Sequence, residues 1–139
     1  MKKINFICVG ILLFLAGCSL DDENNYNFRY DLVAIDSVTI PDTLVYLKNY
    51  EFQINYSQPN TCYFFEGFDK TENKNTVTIA VINSVILDEN CDSLTHKKIS
   101  KKLLFSAARN DFYLFKFWRG ENENGEATYL EKKVPVVSE

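Results

Sequence analysis

The chain has 139 residues, of which 46% are hydrophobic and 14% aromatic, enough for one domain with its own core. Its formal charge of −4 argues against a nucleic-acid partner and against electrostatic adhesion to anionic lipid. A single histidine excludes an HExxH centre or a histidine-rich zinc set, and five scattered glycines make no phosphate loop.

Lys2 and Lys3 open the chain, residues 4–15 are almost wholly apolar, and Ala16-Gly17-Cys18 follows. A basic start, an apolar run of about 7–15 residues and small residues at its end make a secretory signal. The run is too short for a transmembrane helix, which needs about 20 residues. The alternative is a buried core helix, but the run lacks amphipathic periodicity and ends at charges.

Leu15-Ala16-Gly17-Cys18 resembles the lipobox of bacterial lipoproteins. The resemblance implies cleavage before Cys18, a diacylglycerol on its thiol and acylation of the freed amine. Two or more acyl chains anchor a protein stably where one binds only marginally. Ser19-Leu20-Asp21-Asp22-Glu23 is similar to the acidic stretch of Bacteroidota lipoproteins sent to the outer face of the outer membrane. A solvated spacer would have the same composition. Ser19, standing where other bacteria carry an inner-membrane retention Asp, favours outer-membrane sorting. The expected organisation is a signal over 1–17, a lipidated cysteine and acidic tether over 18–30, and a folded domain over 31–139. Loss of the signal removes two lysines and leaves the remainder more acidic.

The strand pattern begins at 31–40, which Pro41-Asp42 ends. Residues 43–47 lead into 50–57, where apolar and polar residues alternate strictly, the period-2 mark of a half-buried strand. Gln58-Pro59-Asn60 is a turn. Residues 62–68 form an aromatic-rich strand with a bulge at Gly67, and 69–75 read as a polar loop. The cluster Tyr63, Phe64, Phe65 and Phe68 reads as core. Residues 76–87 are a long β-branched run with Val77, Ile79 and Val81 on one face and Ile82 and Ile86 on the other. A turn around Cys91 follows, then a strand over 95–105 whose lysines Lys97, Lys98, Lys101 and Lys102 suit the solvated face of an edge. Residues 107–111 turn the corner into 112–118, residues 120–125 form a hairpin tip, and 128–137 close the domain. Pro135 suits an edge or a bulge, because it cannot donate to a ladder. About seven short strands with regular turn signals point to an all-β sandwich or barrel.

Cys8 lies in the signal and Cys18 is the lipid site, which leaves Cys62 and Cys91 in an oxidising setting. One pair allows one connectivity, so a Cys62–Cys91 disulfide is expected. A reactive or metal-binding pair would need a spacing closer to CxxC.

Residues 41–137 look like the small immunoglobulin-like domains of Bacteroidota lipoproteins. The resembling features are Pro41-Asp42-Thr43, the alternating strand 50–56, Asn60-Thr61-Cys62-Tyr63-Phe64-Phe65, Cys91 in a turn, and Asp111-Phe112-Tyr113 entering Phe115-Lys116-Phe117-Trp118. The resemblance implies a single immunoglobulin-like β-sandwich with Tyr113 as a tyrosine corner, bonded to upstream backbone. The chain departs from true immunoglobulin domains in its cysteine placement and in lacking a Trp on the third strand.

Catalytic signatures are few. His96 lies among lysines, and no GxSxG elbow accompanies it. Asp88-Glu89-Asn90-Cys91-Asp92 opens like a calcium loop, but Ser93 stands at the required Gly and Ile99 at the closing acid. Carboxylate pairs for glycoside hydrolysis leave no sequence mark, and a domain this small has little room for a sugar cleft. No catalytic residue, metal or cofactor is expected.

Binding is the better reading. With Tyr113, Phe115 and Phe117 turned inward, Phe112, Leu114 and Trp118 point outward beside Lys116 as a candidate contact site, or lie under a second covered face. Asp36-Ser37-Val38, Asp42-Thr43-Leu44 and Asp92-Ser93-Leu94 resemble the Bacteroidota O-glycosylation acceptor, which makes Ser37, Thr43 and Ser93 candidate sites; ordinary turn residues look alike. The expectation is a non-enzymatic outer-membrane lipoprotein, held by lipid on Cys18 and offering a surface to a protein or glycan partner. The alternative is a periplasm-facing inhibitor or accessory protein that inserts a loop such as 69–75 or 121–125 into an enzyme.

Overall fold

A computed structural model describes residues 27–87, 90–93 and 97–138. The expected signal, Cys18, most of the expected tether and His96 lie outside the described residues. The described chain is all β and folds into two sheets packed face to face. The strands are β1 (Phe28–Val33), β2 (Ile35–Thr39), β3 (Leu44–Val45), β4 (Asn49–Ser57), β5 (Tyr63–Asn73), β6 (Thr76–Ile86), β7 (Lys98–Ser106), β8 (Phe112–Glu121) and β9 (Ala127–Val137).

The smaller sheet runs β2-β4-β7, all antiparallel. In the larger sheet β5 lies along one edge of β6. The other edge of β6 is shared: β8 runs parallel to its first residues and β1 antiparallel to its last. β9 pairs with β8, and the short β3 runs parallel to β9.

Four expectations are corrected. The single first strand over 31–40 is two strands: Val33 pairs with Val81 in the larger sheet, and Ile35 pairs with Tyr56 in the smaller one. Alternation continues across Ala34, so the sequence pattern does not register the change of partner. The first described strand begins at Phe28, inside the expected tether. Residues 69–73 are strand rather than loop; β5 and β6 join through Lys74 and Asn75, with Lys74 in the left-handed region at φ 54°. The β8–β9 tip is also shorter than expected, because β8 reaches Glu121 through a bulge at Gly120, whose φ of 101° suits glycine.

The core is an aromatic cluster between the sheets. Phe52 of β4 and Phe105 of β7 stack at 5.1 Å, and Phe115 of β8 meets both edge-on at 5.1 and 5.0 Å. Tyr113 packs edge-on to Phe105 at 4.9 Å. Its hydroxyl accepts a hydrogen bond from the Arg109 amide at 3.1 Å, fixing the β7–β8 corner as expected. The same corner is tied by Asp111, whose carboxylate accepts two bonds from Arg109 and one from the Asn75 side chain at 2.6 Å. Cys62 and Cys91 are joined by a disulfide with a Cα separation of 5.5 Å, which fastens the entry to β5 to the loop before β7.

Removal of the Phe52 ring, which is wholly buried, should cost about 3–5 kcal/mol, read as urea unfolding of Phe52→Ala. A second prediction concerns pH. Hydrogen bonds from Arg109, then from Asn75 and the Phe112 backbone, hold the Asp111 carboxyl well below its ordinary value of 3.8. The stabilisation is therefore complete above the unfolded carboxyl value and is lost as pH falls toward the folded one. Asp111→Asn should destabilise the protein at neutral pH, and the gap from the parent should shrink below about pH 4 in unfolding curves. A gap that stays constant on acidification would contradict this role.

Candidate functional site

The two outer faces of the sandwich differ in chemistry. On the smaller sheet the outward side chains are mostly polar and bond across strands, Gln53 with Ser100, Asn55 with Ser37, and Lys102 with Glu51, although Leu104 of β7 stands among them 73% exposed. On the larger sheet they include an aromatic patch. Alternation turns Phe28, Tyr30 and Leu32 outward from β1 while Val33 enters the core.

Register assembles the patch. Phe28 stands opposite Ile86, Leu32 opposite Ile82, and both Tyr30 and Phe64 opposite Ser84 on its two sides. Trp118 stands opposite Tyr129. Phe28, Tyr30, Leu32 and Phe64 keep between 47% and 59% of their surface exposed, while Trp118 is half-buried. The Phe28 and Tyr30 rings meet edge-on at 5.4 Å. Tyr30 is common to two shallow hollows. One, of about 350 Å³, is shared with Phe28, Phe64 and Ile86; the other, of about 440 Å³, is shared with Leu32 and Trp118.

A glutamate lines each hollow, Glu66 in one and Glu121 in the other, whereas the side chains of Arg29 and Asp31 alternate with the patch residues and turn to the other face of β1. Arg29 donates two bonds of 2.9 Å to Asp31, and the Tyr63 hydroxyl donates a third at 3.0 Å. Arg29 accordingly holds the Asp31 carboxyl below its ordinary range, while burial and then Asp31 push the Tyr63 phenol up. Lys116 and Glu131 pair at 2.7 Å further along the face.

The three residues singled out on β8 do share this face, yet they do not form one spot. Trp118 adjoins β1. Leu114 lies in a separate hollow of about 540 Å³ with Thr76, Thr78 and Tyr129. Phe112 sits at the far end beneath the Lys133 ammonium, 4.2 Å from its ring centre. Sequence reasoning missed Phe28 and Tyr30 because 18–30 read as tether, and it did not single out Leu32 within the expected strand 31–40. The signal that would have found them is the alternation Phe28-Arg29-Tyr30-Asp31-Leu32. Phe64 is likewise outward, whereas Tyr63, Phe65 and Phe68 pack on the core.

The candidate glycosylation residues are all exposed. Ser37 lies on β2, where it accepts a bond from the Asn55 amide; Thr43 precedes β3; Ser93 bridges to Asn60 beside the disulfide. Of the two loops considered for insertion into an enzyme, 69–75 is mostly strand. The other is a compact tip in which the Asn122 side chain accepts bonds from the Asn124 and Glu126 amides at 2.9 Å.

No protein-family model, curated protein or solved structure matches this chain.

Proposed function

We propose that this protein is a non-enzymatic, lipid-anchored binding module of a Gram-negative envelope, held at the outer membrane through Cys18. It presents the aromatic patch of its larger sheet to a protein partner. The observation that carries the reading is the clustering of exposed Phe28, Tyr30, Leu32 and Phe64 on one face, with Trp118 beside Tyr30 and Leu32, whereas the opposite sheet exposes a mostly polar face with the single large apolar side chain Leu104. Exposed apolar clusters of this kind mark contact sites, and aromatic anchors dominate binding energy in protein interfaces. The patch is broad and shallow with a glutamate in each hollow, which suits a protein surface better than a single sugar.

The anchor fits the same reading. The lipobox at residues 15–18 and the acid after it are followed within a short stretch by β1, so the patch begins where the tether ends. The disulfide agrees with an exported, oxidising setting. We read the two sheets as a variant immunoglobulin-like sandwich. The corner tyrosine and the antiparallel β4–β7 and β8–β9 pairs support it, whereas the parallel β6–β8 pair is a departure.

The test is a photo-crosslinking residue placed at Tyr30 or, as control, at Gln53 on the polar face, in intact cells. The expected result is a discrete protein adduct from Tyr30 and none from Gln53, lost when Trp118→Ala is added to the Tyr30 probe while the melting curve stays cooperative. Equal adducts from both faces would overturn the reading, as would retention on surface glycan with no protein adduct. Protease digestion of intact cells then distinguishes a surface module from a periplasm-facing one.

A further inference from the structure

The aromatic patch has a charge pattern of its own. Tyr30 divides it into two hollows, and each carries one free carboxylate: Glu66 beside Phe28 and Phe64, and Glu121 beside Leu32 and Trp118. Phe28, Tyr30, Leu32 and Phe64 are open to solvent here, in contrast to the inner rings.

Both acids are placed by irregularities in a ladder. In β5 the register shifts between Phe65 and Gly67, so Glu66 is the extra residue, and it lies in the hollow of Phe64. In β8 the register shifts between Trp118 and Glu121. Strict alternation turns residues three apart to opposite faces, but the bulge at Gly120 brings Glu121 into the hollow of Trp118.

Neither carboxylate is used within the molecule. Among the described residues no cation pairs with Glu66 or Glu121, and no lysine or arginine lines either hollow. Arg29 of β1 is taken by Asp31, and Lys116 of β8 by Glu131. Arg119, next to Trp118 in sequence, lines neither hollow. Asp31 borders the second hollow as well, but its carboxylate is held by Arg29 and the Tyr63 hydroxyl.

A partner that covers the exposed rings of both hollows also covers both carboxylates. Taking an unpaired carboxylate out of water is strongly unfavourable unless an opposite charge comes with it. A wholly apolar partner therefore matches the rings and is rejected by the acids. A lysine or arginine side chain matches both, because its aliphatic stem lies on apolar surface while its charge meets ring faces and a carboxylate.

We infer that the patch takes a basic segment of its protein partner, with one lysine or arginine seated in each hollow and an apolar side chain over Tyr30 between them. The inference rests on the contact reading above and gives the partner its chemistry. Phe28 and Leu32 belong to different hollows and stand four positions apart on β1, about 13 Å in an extended strand. An extended segment whose basic residues are also four positions apart matches that span.

The test uses synthetic peptides, blocked at both ends and titrated into the folded protein, with NMR shifts of the backbone amides of β1 and β5 as readout. Thr-Lys-Thr-Leu-Thr-Lys-Thr should bind. Its analogue with glutamine in place of both lysines should bind about fivefold more weakly or worse, and the isomer with its two lysines adjacent should also bind more weakly. Glu66→Gln with Glu121→Gln should weaken binding of the lysine peptide by about fivefold or more. Asp69→Asn with Glu123→Gln, the same change of charge outside the hollows, should change it by less than about twofold. Absence of binding by the lysine peptide, equal binding of the glutamine analogue or of the isomer, or equal loss in the two acid pairs would overturn the inference. The photo-crosslinking residue at Tyr30 separates it from the reading beneath. The adduct should be lost with Glu66→Gln and Glu121→Gln and kept with Asp69→Asn and Glu123→Gln. An adduct that survives the first pair would overturn the basic partner and leave the contact patch standing, whereas no adduct from the parent would overturn both.

Discussion

Three phenylalanine rings in mutual contact hold the two sheets together. Phe52 and Phe105 come from the smaller sheet and Phe115 from the larger, and each pair of centroids lies within 5.1 Å. Their contact sets the spacing and mutual angle of the sheets at the centre of the sandwich. Tyr113 extends the cluster to the β7–β8 corner, where its hydroxyl fixes the backbone that carries the chain from one sheet to the other. Edge-to-face and offset geometry adds roughly 0.5–1.5 kcal/mol per pair beyond the area buried, so the cluster is directional as well as hydrophobic.

Fixing the centre leaves the two long edges to differ. The run through Ala34 closes one edge by pairing first with β6 and then with β4. The other edge has no such run, and the disulfide with its flanking hydrogen bonds holds the loops there instead. On the outer surface, the same alternation that fills the core from β1 and β8 turns Tyr30, Leu32 and Trp118 away from it.

Alternation made much of this legible in advance. The inward sets Phe52, Ile54 and Tyr56 and Tyr113, Phe115 and Phe117 follow from period 2 alone, and the disulfide follows from counting cysteines. Partner choice was not legible. A strand reads the same whether its ladder lies in one sheet or passes to another, so the division at Ala34 was hidden. Residues 69–73 are polar because they edge a sheet, and polarity there was mistaken for a loop. The outer patch was only partly legible. Trp118 was found within an over-aromatic strand, but Phe28 and Tyr30 were masked by acidic neighbours that resemble a tether.

The central claim is that the chain carries two sets of aromatic residues with separate tasks: an inner set that makes the fold and an outer set that makes contact. Unfolding by urea of the triple variant Tyr30→Thr, Leu32→Thr, Phe64→Thr tests it most directly, since threonine keeps strand propensity while removing the apolar surface. The account predicts a loss of less than about 1.5 kcal/mol, in line with surface substitutions away from packed sites. A loss of about 4 kcal/mol or more, comparable to removing a core ring, would show the outer face to be part of the packing and would contradict the account.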